Sequence, residues 1–145
     1  MYKAIVVGTD GSKRAAIAVS EALALAKSGG ATLHVVHAMP RVKASDYLDP
    51  ALVAPTRDEM RAEGTRICAQ VAADAEQEGV SAEIHSVDGD PADVLLKVSE
   101  EVAADLLVIG NQGMSGIKRF VLGSVPNKVS HRCPCSLLIV NTERV

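Results

Sequence analysis

The residues with the clearest chemical potential are small ones. Gly110 and Gly113 are separated by two residues, and nine more lead to Gly123-Ser124. Glycine has no Cβ, so backbone at these positions can approach a ligand closely. The amides of Ser124 and Val125 would open a helix, and the partial positive charge at a helix N-terminus favours an anion. Ser124 adds a hydroxyl donor, while Lys118 and Arg119 stand in the intervening segment as possible counter-charges. Phosphate is the group this set would suit. Each glycine taken singly is also ordinary punctuation after a strand. A second glycine turn, Gly8-Thr9-Asp10-Gly11-Ser12, places an acceptor, Asp10, beside it.

Other reactive residues lack partners for chemistry. Cys133-Pro134-Cys135 with His131 is one C-x-C pair and one histidine, short of the ligand set of a structural zinc site. Small buried cysteines at a strand entrance are the simpler reading, so no metal site is expected. His34, His37 and His85 fall in or near strands, where packing is the ordinary role, and no nucleophile can be paired with them. Asp88 and Asp90 flank Gly89, but the Gly-Asp-Pro context makes Asp90 a helix cap. A Walker A loop needs lysine between its last glycine and the hydroxyl residue, and Gly123 runs directly into Ser124. No catalytic residue is assigned.

These residues must be positioned by regular elements, and the pattern alternates strand with helix. Lys3–Gly8 is a short apolar strand. A helix capped by Ser12 runs to Ser28, with Ala15, Ala16, Val19, Leu23 and Ala26 at spacings of three and four, before Gly29-Gly30. Thr32–Ala38 forms the second strand. Met39–Pro55, interrupted by prolines, is a loop and a possible lid. Thr56–Glu78 is the second helix, with Met60, Gly64, Ile67, Cys68, Val71 and Ala75 on one face. Ser81–Val87 is a third strand. Asp90 caps a third helix with Pro91 at its first position and Val94, Leu95, Val98 and Val102 turned inward. Asp105–Gly110 is continuously apolar, as a strand covered on both faces should be. Ser124 caps a fourth helix, and Ser136–Val140 is the fifth strand.

Five strands linked by helices predict an α/β doubly wound parallel sheet with helices on both faces. With strand order 3-2-1-4-5, a ligand would bind beyond the carboxyl ends of strands one and four, where the order reverses. Both glycine turns lead there. The fifth strand would then lie at a sheet edge, open to pairing with a second copy.

Composition narrows the function classes. The 145 residues make one domain, 1–145. Hydrophobic residues make up 48% but aromatics only 2%, so the core must be built from Ala, Val, Leu and Ile. Stacking on a flavin ring is correspondingly disfavoured. The net charge of −3 and the scattered basic residues give no nucleic-acid footprint. No apolar run reaches the 18 or so residues of a membrane span, and Met1–Gly8 is too short for a signal-peptide core. A cytoplasmic protein is expected. Three cysteines without framework spacing predict reduced thiols.

The Gly110-x-x-Gly113, nine-residue, Gly123-Ser124 spacing resembles the nucleotide-binding signature of the universal stress protein family, in its ATP-binding branch. The resemblance extends along the chain through Val7-Gly8-Thr9-Asp10-Gly11-Ser12, His37, Gly89-Asp90-Pro91 and Gly123-Ser124-Val125. It implies an adenine nucleotide such as ATP as ligand, with Mg2+. Thr9, Asp10 and Ala38 would line the adenine and ribose side. Gly110, Gly113, Gly123, Ser124 and Val125 would hold ribose and phosphates. Asp10 could accept a ribose hydroxyl or reach a phosphate-bound magnesium through water; its alternative role is to cap the first helix. The resemblance also implies a homodimer joined through the fifth strand, and a binding or regulatory module in place of a fast enzyme. Asn111-Gln112 departs from relatives that carry Ser followed by His or Arg. A less basic loop suits cyclic AMP, which some members of the family prefer. Slow ATP hydrolysis or self-phosphorylation, and a nucleotide-free dimeric scaffold, are the other readings to be distinguished.

Overall fold

Three successive residues, Ile5, Val6 and Val7, are wholly buried in the first strand, β1 (Ala4–Gly8), because both faces of that strand are covered. The computed structural model describes residues 1–39, 55–112 and 122–143. The remaining elements are α1 (Lys13–Gly29), β2 (Thr32–Met39), α2 (Arg57–Gln77), β3 (Ala82–Asp88), α3 (Pro91–Glu101), β4 (Leu106–Gly110), α4 (Ser124–Arg132) and β5 (Ser136–Val140). The sheet is entirely parallel in the order β3-β2-β1-β4-β5. Helices lie on both of its faces, as the alternating pattern predicted.

The side-chain alternation of the strands divides the core in two. Ile5, Val7, Leu33, Val35, Leu106 and Val108 point toward α1 and α2, meeting Ala18, Ala22, Ala26, Cys68 and Ala75. Val6, Val36, Leu107 and Ile109 point the other way, toward Val94, Leu95 and Val98 of α3 and Val129 of α4. Small alanines on α1 let that helix lie close to the sheet, which a chain with few aromatic residues requires.

Helix ends follow their local chemistry. Ser12 Oγ accepts from the Ala15 amide at 3.1 Å, and Gly30 closes α1 in the left-handed region at φ 67°. Thr56 and Glu59 form a reciprocal capping box on α2. Asp90 caps α3, with Pro91 at its start. The Asp105 carboxylate accepts from the Lys3 and Ala4 amides at 2.7 and 2.9 Å, tying the start of β1 to the entrance of β4.

Several element ends shift by one residue from the sequence expectation, as in β1, β3 and β4, and two of the differences bear on the site. Met39 belongs to β2, because the ladder to β3 continues to the Met39–Asp88 pair and the side chain is buried. The rest of the expected loop, residues 40–54, lies outside the described residues. Gly123, in place of Ser124, is the cap of α4. The Gly123 carbonyl already accepts from Asn127 at 3.1 Å, which puts Ser124 inside the first turn.

Candidate functional site

The parallel order brings the carboxyl ends of β1 and β4 side by side, and a crevice of about 200 Å³ opens there. Seven of the eight residues proposed from sequence line it: Thr9, Asp10, Ala38, Gly110, Gly123, Ser124 and Val125. Gly113 lies outside the described residues, as do Lys118 and Arg119.

The β1 side is built by a tight turn. The Thr9 amide donates to the Val36 carbonyl at 2.9 Å, and Thr9 Oγ1 accepts from Gly11 at 3.2 Å. Gly11 takes φ 80°, which only glycine adopts without strain. Asp10 Oδ1 accepts from the Ser12 amide at 2.9 Å. The expected alternative of Asp10 as the cap of α1 is therefore corrected: Ser12 caps the helix, and Asp10 shapes the turn before it. Asp10 stays exposed at the crevice mouth.

The opposite wall is the start of α4. Among the described residues no side chain caps this helix. The first-turn amides of Ser124 and Val125 therefore line the crevice without a side-chain oxygen bound across them, the arrangement in which a helix end attracts an anion. With Gly123 as the cap, the Ser124 hydroxyl is also spared that duty. A Cβ on Gly123 would meet the Asn111 carbonyl oxygen no closer than 3.5 Å, an ordinary contact. On Gly110 it would come within 2.9 Å of Thr142 Cγ2, so that glycine serves the close packing of the fold.

Gly8, Ser12, Ala15, Val36, Pro91, Leu95, Ile109, Gln112 and Pro126 complete the lining, and none of them was proposed as a ligand-binding residue from sequence. Most are apolar, and nothing in the local sequence distinguishes them from core residues. Asn111 and Gln112, read from sequence only as a departure, have definite roles. Asn111 Oδ1 accepts from both the amide and the hydroxyl of Thr142 at 2.9 Å, while its backbone carbonyl accepts from Gly123 at 3.0 Å. Gln112 Oε1 accepts from Arg14 Nη1 at 2.9 Å. A cation from α1 thus stands one side chain away from the crevice wall, although the glycine segment itself lacks one at this point.

None of the three strand histidines lines the crevice. His37 faces α2, and its buried Nδ1 has no hydrogen-bond partner among the described residues. Burial lowers its pKa, overriding the opposing pull of Asp10 and Glu63. His34 is also buried and lowered, chiefly by loss of water, and its Nδ1 lies 3.1 Å from His85 Nε2. Cys133 and Cys135 pack against the second core cluster with their sulfurs 3.9 Å apart. Asp88 is held by Arg57 and Arg61, which keep its carboxyl below the usual range. Asp90 combines its capping role with an ion pair to Lys128 at 3.2 Å.

Comparison with known proteins places this geometry in a family. The universal stress protein family matches residues 1–141. The chain belongs to the universal stress protein family. Universal stress protein YxiE of Bacillus subtilis is 33% identical over 147 residues, covering 97% of this chain and 99% of that protein. A universal stress protein whose crystal structure was solved in complex with cAMP is 34% identical and superposes with a TM-score of 0.73, over 98% of each chain. The structure of protein MJ0577 superposes at 0.84 over 100% of this chain and 99% of its own, at 22% identity, and supports the shared fold.

Proposed function

We propose that this universal stress protein is a binding or regulatory module for an adenine nucleotide, with ATP the leading ligand and cyclic AMP the alternative. The observation that carries the reading is the crevice between β1 and β4, where the uncapped start of α4 faces an acceptor-bearing turn across an apolar floor. The polar elements suit phosphate and sugar, and Ala38, Val36, Leu95 and Ile109 offer the apolar surface that a purine needs. The cAMP complex of a 34% identical protein supports the same ligand class.

In this reading Gly123, Ser124 and Val125 hold phosphate through backbone amides, Gly110 lines the crevice beside them, and Gly113 completes the set that the sequence spacing proposes. Thr9, Asp10 and Ala38 receive the nucleoside side. Asp10 is the carboxylate that lines the crevice, and it would hold the Mg2+ that accompanies a polyphosphate. Arg14, anchored on Gln112, supplies positive charge near the phosphates. No arrangement of a nucleophile with a base stands in the crevice among the described residues, so we read the nucleotide as a signal that is bound and released.

Thermal unfolding with ATP, ADP, AMP, cyclic AMP and GTP, each with and without Mg2+, tests this directly. A ligand at 100 times its dissociation constant adds about 2.7 kcal/mol, or a rise of roughly 5–10 °C at this chain length. The Gly123→Ala variant keeps the fold, since its methyl has room, but intrudes on the phosphate side and should lose most of that rise. Stabilisation by cyclic AMP alone would select the alternative ligand. An equal response to GTP would remove the adenine assignment, and no response to any nucleotide would overturn the proposal.

A further inference from the structure

The parallel pairing of β2 with β3 sets His34 opposite Glu83 and Val36 opposite His85. Residues two apart on a strand share a face, so Glu83 and His85 project on one side, and the register brings His34 onto that side with them. The ligand atoms of the three side chains all lie within 4.8 Å of one another, the one such group of three among the described residues. His34 Nδ1 is 3.1 Å from His85 Nε2 and 3.4 Å from Glu83 Oε2. The cluster lies apart from the crevice, none of whose lining residues it includes.

Proton counting makes this cluster unusual. His34 Nδ1 carries at most one hydrogen, yet it faces an imidazole nitrogen and a carboxylate oxygen at once. If it donates to one, the other meets it without a hydrogen bond of its own. A cation placed among the three lone pairs would satisfy them together. The spacing also fits: metal–nitrogen bonds of about 2.0–2.1 Å at tetrahedral angles put ligand atoms roughly 3.3–3.4 Å apart. Two imidazoles and one carboxylate are the donor set of Zn2+ and its borderline neighbours, while Mg2+ and Ca2+ require oxygen.

We propose that His34, Glu83 and His85 form a binding site for a divalent transition metal of the zinc class. His34 is the fixed ligand, buried in the sheet, while Glu83 is 63% exposed on the outermost strand and closes the site from the solvent side. Three protein ligands leave a fourth position for water or a partner's side chain. A bound metal would also staple the edge strand β3 to β2, so the fold should become more stable when it binds.

The test is calorimetric titration of the full chain, freed of metal by chelator, with ZnCl2 and separately with MgCl2. One equivalent of Zn2+ should bind and Mg2+ should not. Glu83→Gln and His85→Asn, both on the outer strand, should each weaken Zn2+ binding at least tenfold while unfolding within a few degrees of the metal-free wild type. Co2+ in place of Zn2+ should give visible ligand-field bands without a sulfur charge-transfer band. The Cys133→Ser/Cys135→Ser double variant should bind Zn2+ unchanged. Absence of binding, full retention in both strand variants, or loss in the cysteine variant would each overturn the site.

Discussion

His37 shows how a single half-buried side chain sets a property of the whole protein. Its ring packs where α2 comes nearest the sheet: a Cβ on Gly64 would sit 2.7 Å from His37 Nδ1. Burial holds its pKa below the ordinary 6.5, and the negative charges of Asp10 and Glu63 do not restore it. The unfolded chain therefore takes up a proton at a higher pH than the folded one. Stability is full above 6.5 and declines as pH falls from there toward the lowered folded value. Chemical denaturation of the wild type between pH 8 and pH 5 should show that decline, and a His37→Gln variant should show a shallower one. His34, lowered by the same cause, keeps the variant's slope from vanishing. Equal slopes in the two proteins would remove His37 from the account.

At the scale of elements, the crevice depends on a clamp between β4 and β5. Asn111 leaves β4 by donating its amide to the Val140 carbonyl at 2.9 Å and receives the Gly123 amide that precedes α4. Its side chain takes both donors of Thr142, a residue with no exposed surface. Asn111→Ala leaves those donors without their acceptor in a buried setting, a loss of about 2 kcal/mol. The unfolding midpoint should fall by roughly 4–8 °C, and because the clamp also places Gly123, affinity for the nucleotide should fall with it. An unchanged midpoint by calorimetry would show that the clamp is replaced by water. Local spacing made much of this architecture readable. The apolar period of α2 and α3, the caps Ser12 and Asp90, and the glycines after β1 and β4 all act within a few residues of themselves, whereas the buried stripe of α1 is Ala18, Ala22 and Ala26, of which the expected set held only Ala26. What escaped the sequence acts across the sheet. Asn111 answers to Thr142, Gln112 to Arg14, and His34 to Glu83 and His85, and such pairings exist only once register is set. The misplaced cap of α4 has a related cause: Ser124 carries the better capping side chain, but the bond from Gly123 back to Asn111 starts the helix one residue earlier.

At the scale of the whole molecule, the sheet of the described residues ends in two edge strands, β3 and β5, and the burial pattern of β5 shows the consequence. Every residue of β4 from Leu106 to Ile109 is buried, whereas Leu137, Leu138 and Ile139 of β5 are only partly so. The outer side of β5 carries ladder groups with no neighbouring strand among the described residues, since the sheet ends there. We propose that two copies pair through this strand in antiparallel fashion, which a two-fold axis permits and which covers both edges at once. Light scattering after size exclusion should give about twice the 15.1 kDa chain mass. Val140 is a poor place to test the contact, because it is 8% exposed and belongs to the α1 and α2 core, where a lysine would unfold the chain. Ile139→Asp and Leu137→Lys lie where the strand is still half open. Each should shift the mass toward one chain while nucleotide stabilisation survives, since neither residue lines the crevice. A wild type that stays at one chain mass at micromolar concentration would sink the pairing. A variant that loses nucleotide binding along with the dimer would instead show that the crevice requires the second copy.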